Sequence, residues 1–297
     1  MKSVPQSELD KLTQGDAHGA IYTASLQIVF YAAKPLPELA KGATALYRMF
    51  LKKYGSSLVW YRARSMRTVR KMSPKYVDVF PTLCQAEGIA LPNYQAASGS
   101  GLQDYLPPVF ATGAYGASSW LQFHLPTTVA HDVEGLIDFV STLAKEFPYR
   151  CGHVGFSLCW NDWSVDRDIE APRLIGPLLK RYPGLSLGTP EEICDQNLPP
   201  VNWLTLLGPE LLKELDGLNG VQHAFAEDDA ITVIKMGAGA CIRAGESPQL
   251  GDVNRKLDLP LYREVGKYLK DLRGDQIVEI TGLDEDESEA WLARFDS

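Results

Sequence analysis

The chain has 297 residues and 32.8 kDa, with 45% hydrophobic and 22% charged residues, enough apolar material for a core; disorder as its whole character is excluded. Thirty-seven acids against 29 Lys and Arg leave a net charge of −8, which excludes a general nucleic-acid coat. No apolar run reaches the roughly 18 to 20 residues a membrane helix needs. The first twelve residues, Met1 to Leu12, are polar with no signal-peptide core behind them, so a cytoplasmic protein without membrane partners is expected. The length fits one large domain or two fused small ones. Cys84, Cys151, Cys159, Cys194 and Cys241 are widely spaced with no C-x-x-C, the pattern of buried thiols.

Strands and helices alternate along the chain. Ile21 to Tyr31 reads as a strand with Leu26, Ile28 and Phe30 on one face and Ser25 and Gln27 on the other. Pro35 and Pro37 open a helix whose apolar stripe runs Leu36, Leu39, Ala43, Leu46, Phe50 and Tyr54, stopping at Gly55. Leu58 to Tyr61 is extended again. Trp120 to Leu125 alternates as a strand, Val133 to Phe147 repeats at helical spacing, and Val154 to Trp160 returns to alternation. Two βαβ units are therefore expected, and the Leu-Gln pairs at 26–27 and 121–122 suggest a duplicated module. Gln95 to Gly116, rich in Ser, Gly and Pro, reads as a long surface loop or a seam between two halves.

Farther on, Ala171, Leu174, Ile175, Leu178, Leu179 and Tyr182 form a helical stripe. Val201 to Leu207 reads as a strand, Pro209 to Leu215 as a short helix closed by Gly217, and Ile231 to Met236 with Ala240 to Ala244 as a hairpin. Pro260 starts a further helix, and Asp284 to Phe295 forms an acidic one with Trp291, Leu292 and Phe295 as its apolar edge. The expected class is α+β, with mixed or antiparallel sheets and packed helices.

Charge is unevenly placed. Leu39 to Val77 holds ten Lys and Arg and no Asp or Glu, so the remainder carries 19 bases and 37 acids. Arg64, Arg67, Lys71 and Lys75 would line one face if this piece were helical. That stripe is either a phosphate-facing surface or a solvated face. The run Asp284, Glu285, Asp286, Glu287 and Glu289 is a natural intramolecular counterweight to it, and also a surface for a basic partner. A third cluster, Asn161 to Glu170, gathers Asp162, Trp163, Asp166, Asp168 and Glu170 between a strand and a helix. Acids there suit a helix N-terminus; with a tryptophan among them they also have the composition of a recognition loop.

Motifs of nucleotide phosphate cradles, zincins, zinc sites and serine hydrolase elbows are missing from the sequence, as is the acid followed by E-x-K of a restriction-type nuclease centre. Gly237-Ala238-Gly239 lies between two strands and reads as a turn, and Cys151-Gly152-His153 as structural.

The C-terminal half carries a more specific pattern. Asn202-Trp203-Leu204-Thr205-Leu206-Leu207-Gly208-Pro209 leads into Leu211, Leu212, Leu215 and Gly217. Ala244-Gly245-Glu246-Ser247-Pro248-Gln249-Leu250-Gly251-Asp252-Val253-Asn254 follows, then Leu259-Pro260-Leu261-Tyr262. These segments resemble the type VI secretion immunity family, the TsiV-like proteins. The likeness spans roughly residues 20 to 275 and is strongest from 200 to 265. It implies an α+β immunity domain over 20–275, within which the 95–116 stretch is the loop or seam read above, between an N-terminal segment 1–19 and an acidic C-terminal tail 276–297.

By resemblance, the chain is expected to bind a co-encoded toxic effector, a restriction-endonuclease-like DNase, and block it in the cytoplasm, with no catalysis, cofactor, metal or direct nucleic-acid contact of its own. The pattern supplies no matched position for the toxin contact. The expected effector-binding residues are therefore Asp162, Trp163, Asp166, Asp168 and Glu170, with the acidic run 284–289 as second choice. Two competing readings are an enzyme built around His153 and Asp162, and a nucleic-acid-binding module using Arg64, Arg67, Lys71 and Lys75 of the basic 62–75 stretch.

Overall fold

A computed structural model describes residues 3–85, 93–115, 118–186, 198–273 and 279–297. A short helix α1 (Gln6–Asp10) and strand β1 (Gln14–Asp16) precede β2 (Gly19–Ala32), the long alternating strand. Next come α2 (Ala40–Tyr54), β3 (Trp60–Ala63), β4 (Arg70–Lys71), α3 (Val79–Gln85), β5 (Tyr94–Gly101), β6 (Asp104–Tyr115) and β7 (Ser118–Leu125). Then follow α4 (Val133–Glu146), β8 (Cys151–Cys159), α5 (Val165–Arg181), β9 (Leu204–Leu207), α6 (Pro209–Glu214) and α7 (Gly217–Ala224). The described chain closes with β10 (Ile231–Met236), β11 (Gly239–Ala244), α8 (Pro260–Leu269) and α9 (Glu285–Leu292).

The strands join one sheet in the order β10-β11-β9-β8-β2-β7-β6-β5-β3-β4, with β1 paired to β2. Every ladder between named strands is antiparallel, consistent with the expected α+β class. The two expected βαβ units are not equivalent. β7 and β8 flank β2, each antiparallel to it, so α4 crosses over one strand, whereas α2 carries the chain from β2 past three strands to β3.

The expected loop at 95–116 is instead β5 and β6, two strands inside the sheet up to Tyr115; Gly116 lies outside the described residues. Its prolines are accommodated by a bulge. Ala97 pairs with Val109 and Ser98 with Leu106, so Pro107 and Pro108, which cannot donate to a ladder, fall in the register shift. The Ser98 hydroxyl caps the bulge by hydrogen bonding to the Leu106 or the Pro107 carbonyl, both at 2.8 Å.

Period-2 alternation divides the sheet into two chemically different faces. One is apolar, with Leu26, Ile28 and Phe30 opposite Leu125, Phe123 and Leu121. Helix α2 lays Tyr47 and Phe50 on Phe110 of this face at ring distances of 5.0 and 5.8 Å, and Phe80 of α3 joins at 5.1 Å. The other face is polar yet buried. His124 Nδ1 meets the Ser25 hydroxyl at 2.8 Å, and His153 Nε2 meets Gln27 Oε1 at 2.9 Å. Burial pushes both imidazoles down to about 3, so they are neutral near pH 7. Helix α5 packs on β2, and the turn leading into it lies against Gln95 and Arg62, which share this polar face.

The C-terminal expectations hold in outline. β10 and β11 form the hairpin, with Gly237 at φ +62° in its two-residue turn. Gly217 does not simply close a helix; it begins α7, which the sequence reading missed. Trp291 and Phe295 are buried, and Phe295 packs on Tyr262 of α8 at 5.5 Å. Cys84, Cys151, Cys159 and Cys241 are buried thiols, while Cys194 and residues 276–278 of the tail lie outside the described residues.

Candidate functional site

The segment after β8 turns sharply into α5, and its buried Asn161 sets the turn. The Asn161 side-chain oxygen accepts from the Trp163 amide at 3.0 Å, and its nitrogen donates to the Leu102 carbonyl at 3.1 Å, pinning the turn to the β5–β6 hairpin. That hairpin is tied to β2 in turn: Asp104 accepts from the Ser100 amide at 2.9 Å and from the Ala20 amide at 3.3 Å.

Arg167 is the centre of this corner. Its side chain is 2% exposed, and its guanidinium clasps both Asp16 oxygens at 2.9 Å, Glu170 at 2.9 Å and the Gln103 carbonyl at 3.0 Å. One buried cation thus joins β1, the β5–β6 hairpin and the first turns of α5. The bidentate pair holds the Asp16 carboxyl well below its ordinary range.

The expected site residues all lie on this corner, with different duties. Glu170 is committed to Arg167. Trp163 is half-buried beneath the Arg62 guanidinium, 5.4 Å from its ring centre. Asp162 is half-buried and accepts from Gln95 Nε2 at 3.2 Å. Asp166 is exposed and accepts from Gln103 Nε2 at 2.6 Å, a neutral donor that leaves its charge intact. Asp168 is exposed and forms no ion pair among the described residues. Asp166 and Asp168 therefore present free negative charge to solvent.

Sequence reasoning missed the apolar part of the surface. Val165 is 75% and Ile169 56% exposed. They begin a four-residue spacing, continued by Arg173 and Pro177, on the helix face opposite Arg167, Ala171, Ile175 and Leu179. The signal was present: two branched apolar residues at i and i+4 on the polar face of an amphipathic helix have no core to enter. Arg167, Asp16, Gln95 and Gln103, which organise the corner, carried no such local signal.

Burial, and then the nearby Asp168 charge, push the Asp162 carboxyl up to about 6. In the unfolded chain it ionises near its ordinary value of about 4, so between these values the fold binds more protons and stability falls as pH rises. Asp162→Asn is therefore expected to raise the melting temperature relative to the parent above about pH 6 and to lose that advantage below about pH 4. Melting curves at pH 4 and 7.5 check this. An equal difference at both pH values would contradict the assignment.

The remaining expectations are redistributed. The basic stretch is not helical: residues 64–69 form turns and bends, Arg70 and Lys71 form β4, and Pro74–Tyr76 is a single 3-10 turn, so Arg64, Arg67, Lys71 and Lys75 share no helix face. The acidic run is not its counterweight. Asp284 and Glu287 form a capping box on α9, and Glu287 pairs with Lys180 of α5 at 2.7 Å. His153 and Asp162 do not form one site: eight residues of mostly extended chain lie between them, and His153 is buried against Gln27. Among the described residues no cluster of three or more His, Cys, Asp and Glu is arranged to hold a metal ion. No described helix is long and apolar enough to cross a membrane.

Comparison with known proteins gives this architecture a family. The profile TsiV, described as type VI immunity for VRR-NUC, matches residues 43–295. The chain belongs to the TsiV family. Trp203 and Asp252, within the segments that carried the likeness, serve the family fold here. Trp203 is fully buried and donates to the Gly245 carbonyl, and Asp252 is buried with Arg181 at 3.0 Å. Among solved structures, the Pseudomonas aeruginosa T6SS protein PA0821 is similar with a TM-score of 0.78 at 18% identity, over 98% of this chain and 89% of that one, which shows a shared fold. No curated protein matches the chain.

Proposed function

We propose that this chain is an immunity protein that binds a VRR-NUC nuclease effector of a type VI secretion system and excludes DNA from it. Membership of a family described as type VI immunity for VRR-NUC carries the reading. It acts in the cytoplasm, where the nuclease would meet DNA, and performs no reaction of its own.

The contact surface is the corner of α5, with Asp162, Trp163, Asp166, Asp168 and Glu170. A DNA-cleaving protein presents cationic groups to phosphate. Asp166 and Asp168 supply carboxylates to those groups, while Val165 and Ile169 between them supply apolar area that phosphate lacks. Arg167 fixes the helix end, so little ordering is left for binding. The acidic helix α9 is the weaker candidate, because Asp284 and Glu287 are engaged in capping and in the Lys180 pair.

Co-expression with the effector encoded beside this gene is the test. The expected result is rescued growth, a single co-eluting complex, and loss of DNA cleavage at stoichiometric immunity protein. Cleavage that continues with excess immunity protein present would overturn the reading.

A further inference from the structure

The edge of the sheet next to this corner carries the opposite charge. β4 is the terminal strand, and its Lys71 stands opposite Trp60 of β3, so Lys71, Trp60 and Arg62 share one face of the sheet. Arg62 on that face covers Trp163, the residue before Ser164 and the start of α5. The β3–β4 edge and the acidic corner thus meet at the Arg62–Trp163 contact.

Arg64, Arg67, Lys71 and Lys75 are all exposed, and none makes an ion pair among the described residues. Among the described residues, Arg48 is the one cation of the same stretch that approaches an acid, Asp78, at 3.7 Å. A chain with 37 acids could neutralise this edge easily. Arg70 and Lys71 on the two-residue edge strand already guard it against edge-to-edge pairing, so Arg64, Arg67 and Lys75 are not needed for that. Arg64 and Arg67 lie on the connection from β3 to β4, Lys71 on β4 and Lys75 in the turn after it; like charges this near in one stretch repel, and an anionic partner would relieve that.

We infer that the β3–β4 edge, hinged to the acidic corner at Arg62 and Trp163, is a second contact that pairs with the metal-holding carboxylates of the effector's nuclease centre. This rests on the effector-binding reading above. A metal-dependent nuclease places carboxylates at the scissile phosphate and cationic groups along the flanking DNA path. A surface that is cationic at one end and acidic at the other complements both, and a purely acidic inhibitor would be repelled by the centre itself.

The test is calorimetry with the purified effector carrying its native carboxylates. The variant Arg64→Glu, Arg67→Glu, Lys71→Glu, Lys75→Glu is expected to bind about fiftyfold or more weakly than the parent, with an unchanged melting curve because all four side chains are exposed. Millimolar Mg2+ should weaken parent binding several-fold by competing for the same carboxylates, and should leave the residual binding of the variant unchanged. Variant affinity within twofold of the parent overturns the inference, and so does Mg2+-insensitive parent binding. Salt-sensitive binding of a duplex DNA probe by the parent but not by the variant also overturns it, in favour of nucleic acid. Asp166→Lys, Asp168→Lys measured alongside separates the two ideas. If that variant alone loses affinity, the edge assignment fails and the effector reading stands; if the parent binds no effector, the reading itself fails.

Discussion

Exchanging Asp166 and Asp168 for lysine is expected to weaken effector binding by about hundredfold or more, the scale of two reversed charges facing a complementary surface. Both side chains are exposed, and neither sits in an ion pair that holds the fold together. Asp166 loses one hydrogen bond from Gln103. Each lysine also opposes the positive end of α5, at a cost of about 0.3–1 kcal/mol at an exposed first turn. The fold should therefore survive while affinity falls. Because the attraction acts through solvent, the difference between parent and variant should shrink as salt rises from about 0.05 to 0.5 M. Surface-immobilised effector gives both rate constants, and the association rate should account for much of the salt-dependent part. Unaltered binding would remove α5 from the interface and return attention to the exposed carboxylates Glu285, Asp286 and Glu289 on α9.

Phe110→Ala should give the largest loss of stability, about 3–5 kcal/mol for a fully buried phenylalanine. Phe110 is 0% exposed, and its ring meets those of Tyr47, Phe50, Phe80, Tyr94 and Phe123 at centroid distances from 5.0 to 6.3 Å. These rings come from α2, α3 and three neighbouring strands, so a cavity here cannot collapse by moving one element alone. Tilted and edge-on geometries add a further contribution beyond area. A urea titration should show a lower midpoint with an unchanged slope. A loss below about 1.5 kcal/mol would mean that the cluster repacks as freely as a volume-conserving swap. Since β6 also carries the hairpin that holds Gln103 under α5, the same substitution should loosen the corner before the far edge at β10.

Elements with a strong local period were legible in the sequence. The strand around Leu26 to Phe30, the helix from Val133 and the hairpin from Ile231 each repeat an apolar spacing that one backbone geometry satisfies. Even the polar face was visible, since Ser25 and Gln27 alternate with Leu26 and Ile28. The acidic corner was legible as composition, and its two exposed apolar residues were legible in principle.

What the sequence by itself determined is the class of element, the buried stripe of each helix, the charge asymmetry and the segments that mark the family. Each is a property of neighbouring residues or of direct likeness. Tertiary structure alone decided which strands pair, and so turned two apparent βαβ units into an antiparallel sheet with β2 between β7 and β8. It made strands of Ser- and Gly-rich β5 and of β6 with its two adjacent prolines, because flanking strands supply the hydrogen bonds that local propensity does not favour. It also brought Asp16 to Arg167 across 151 residues and the cationic edge to the acidic corner through Arg62 and Trp163. Long-range pairing leaves no period in the chain, because its partners are fixed by the packing of the whole sheet and not by the spacing of neighbours.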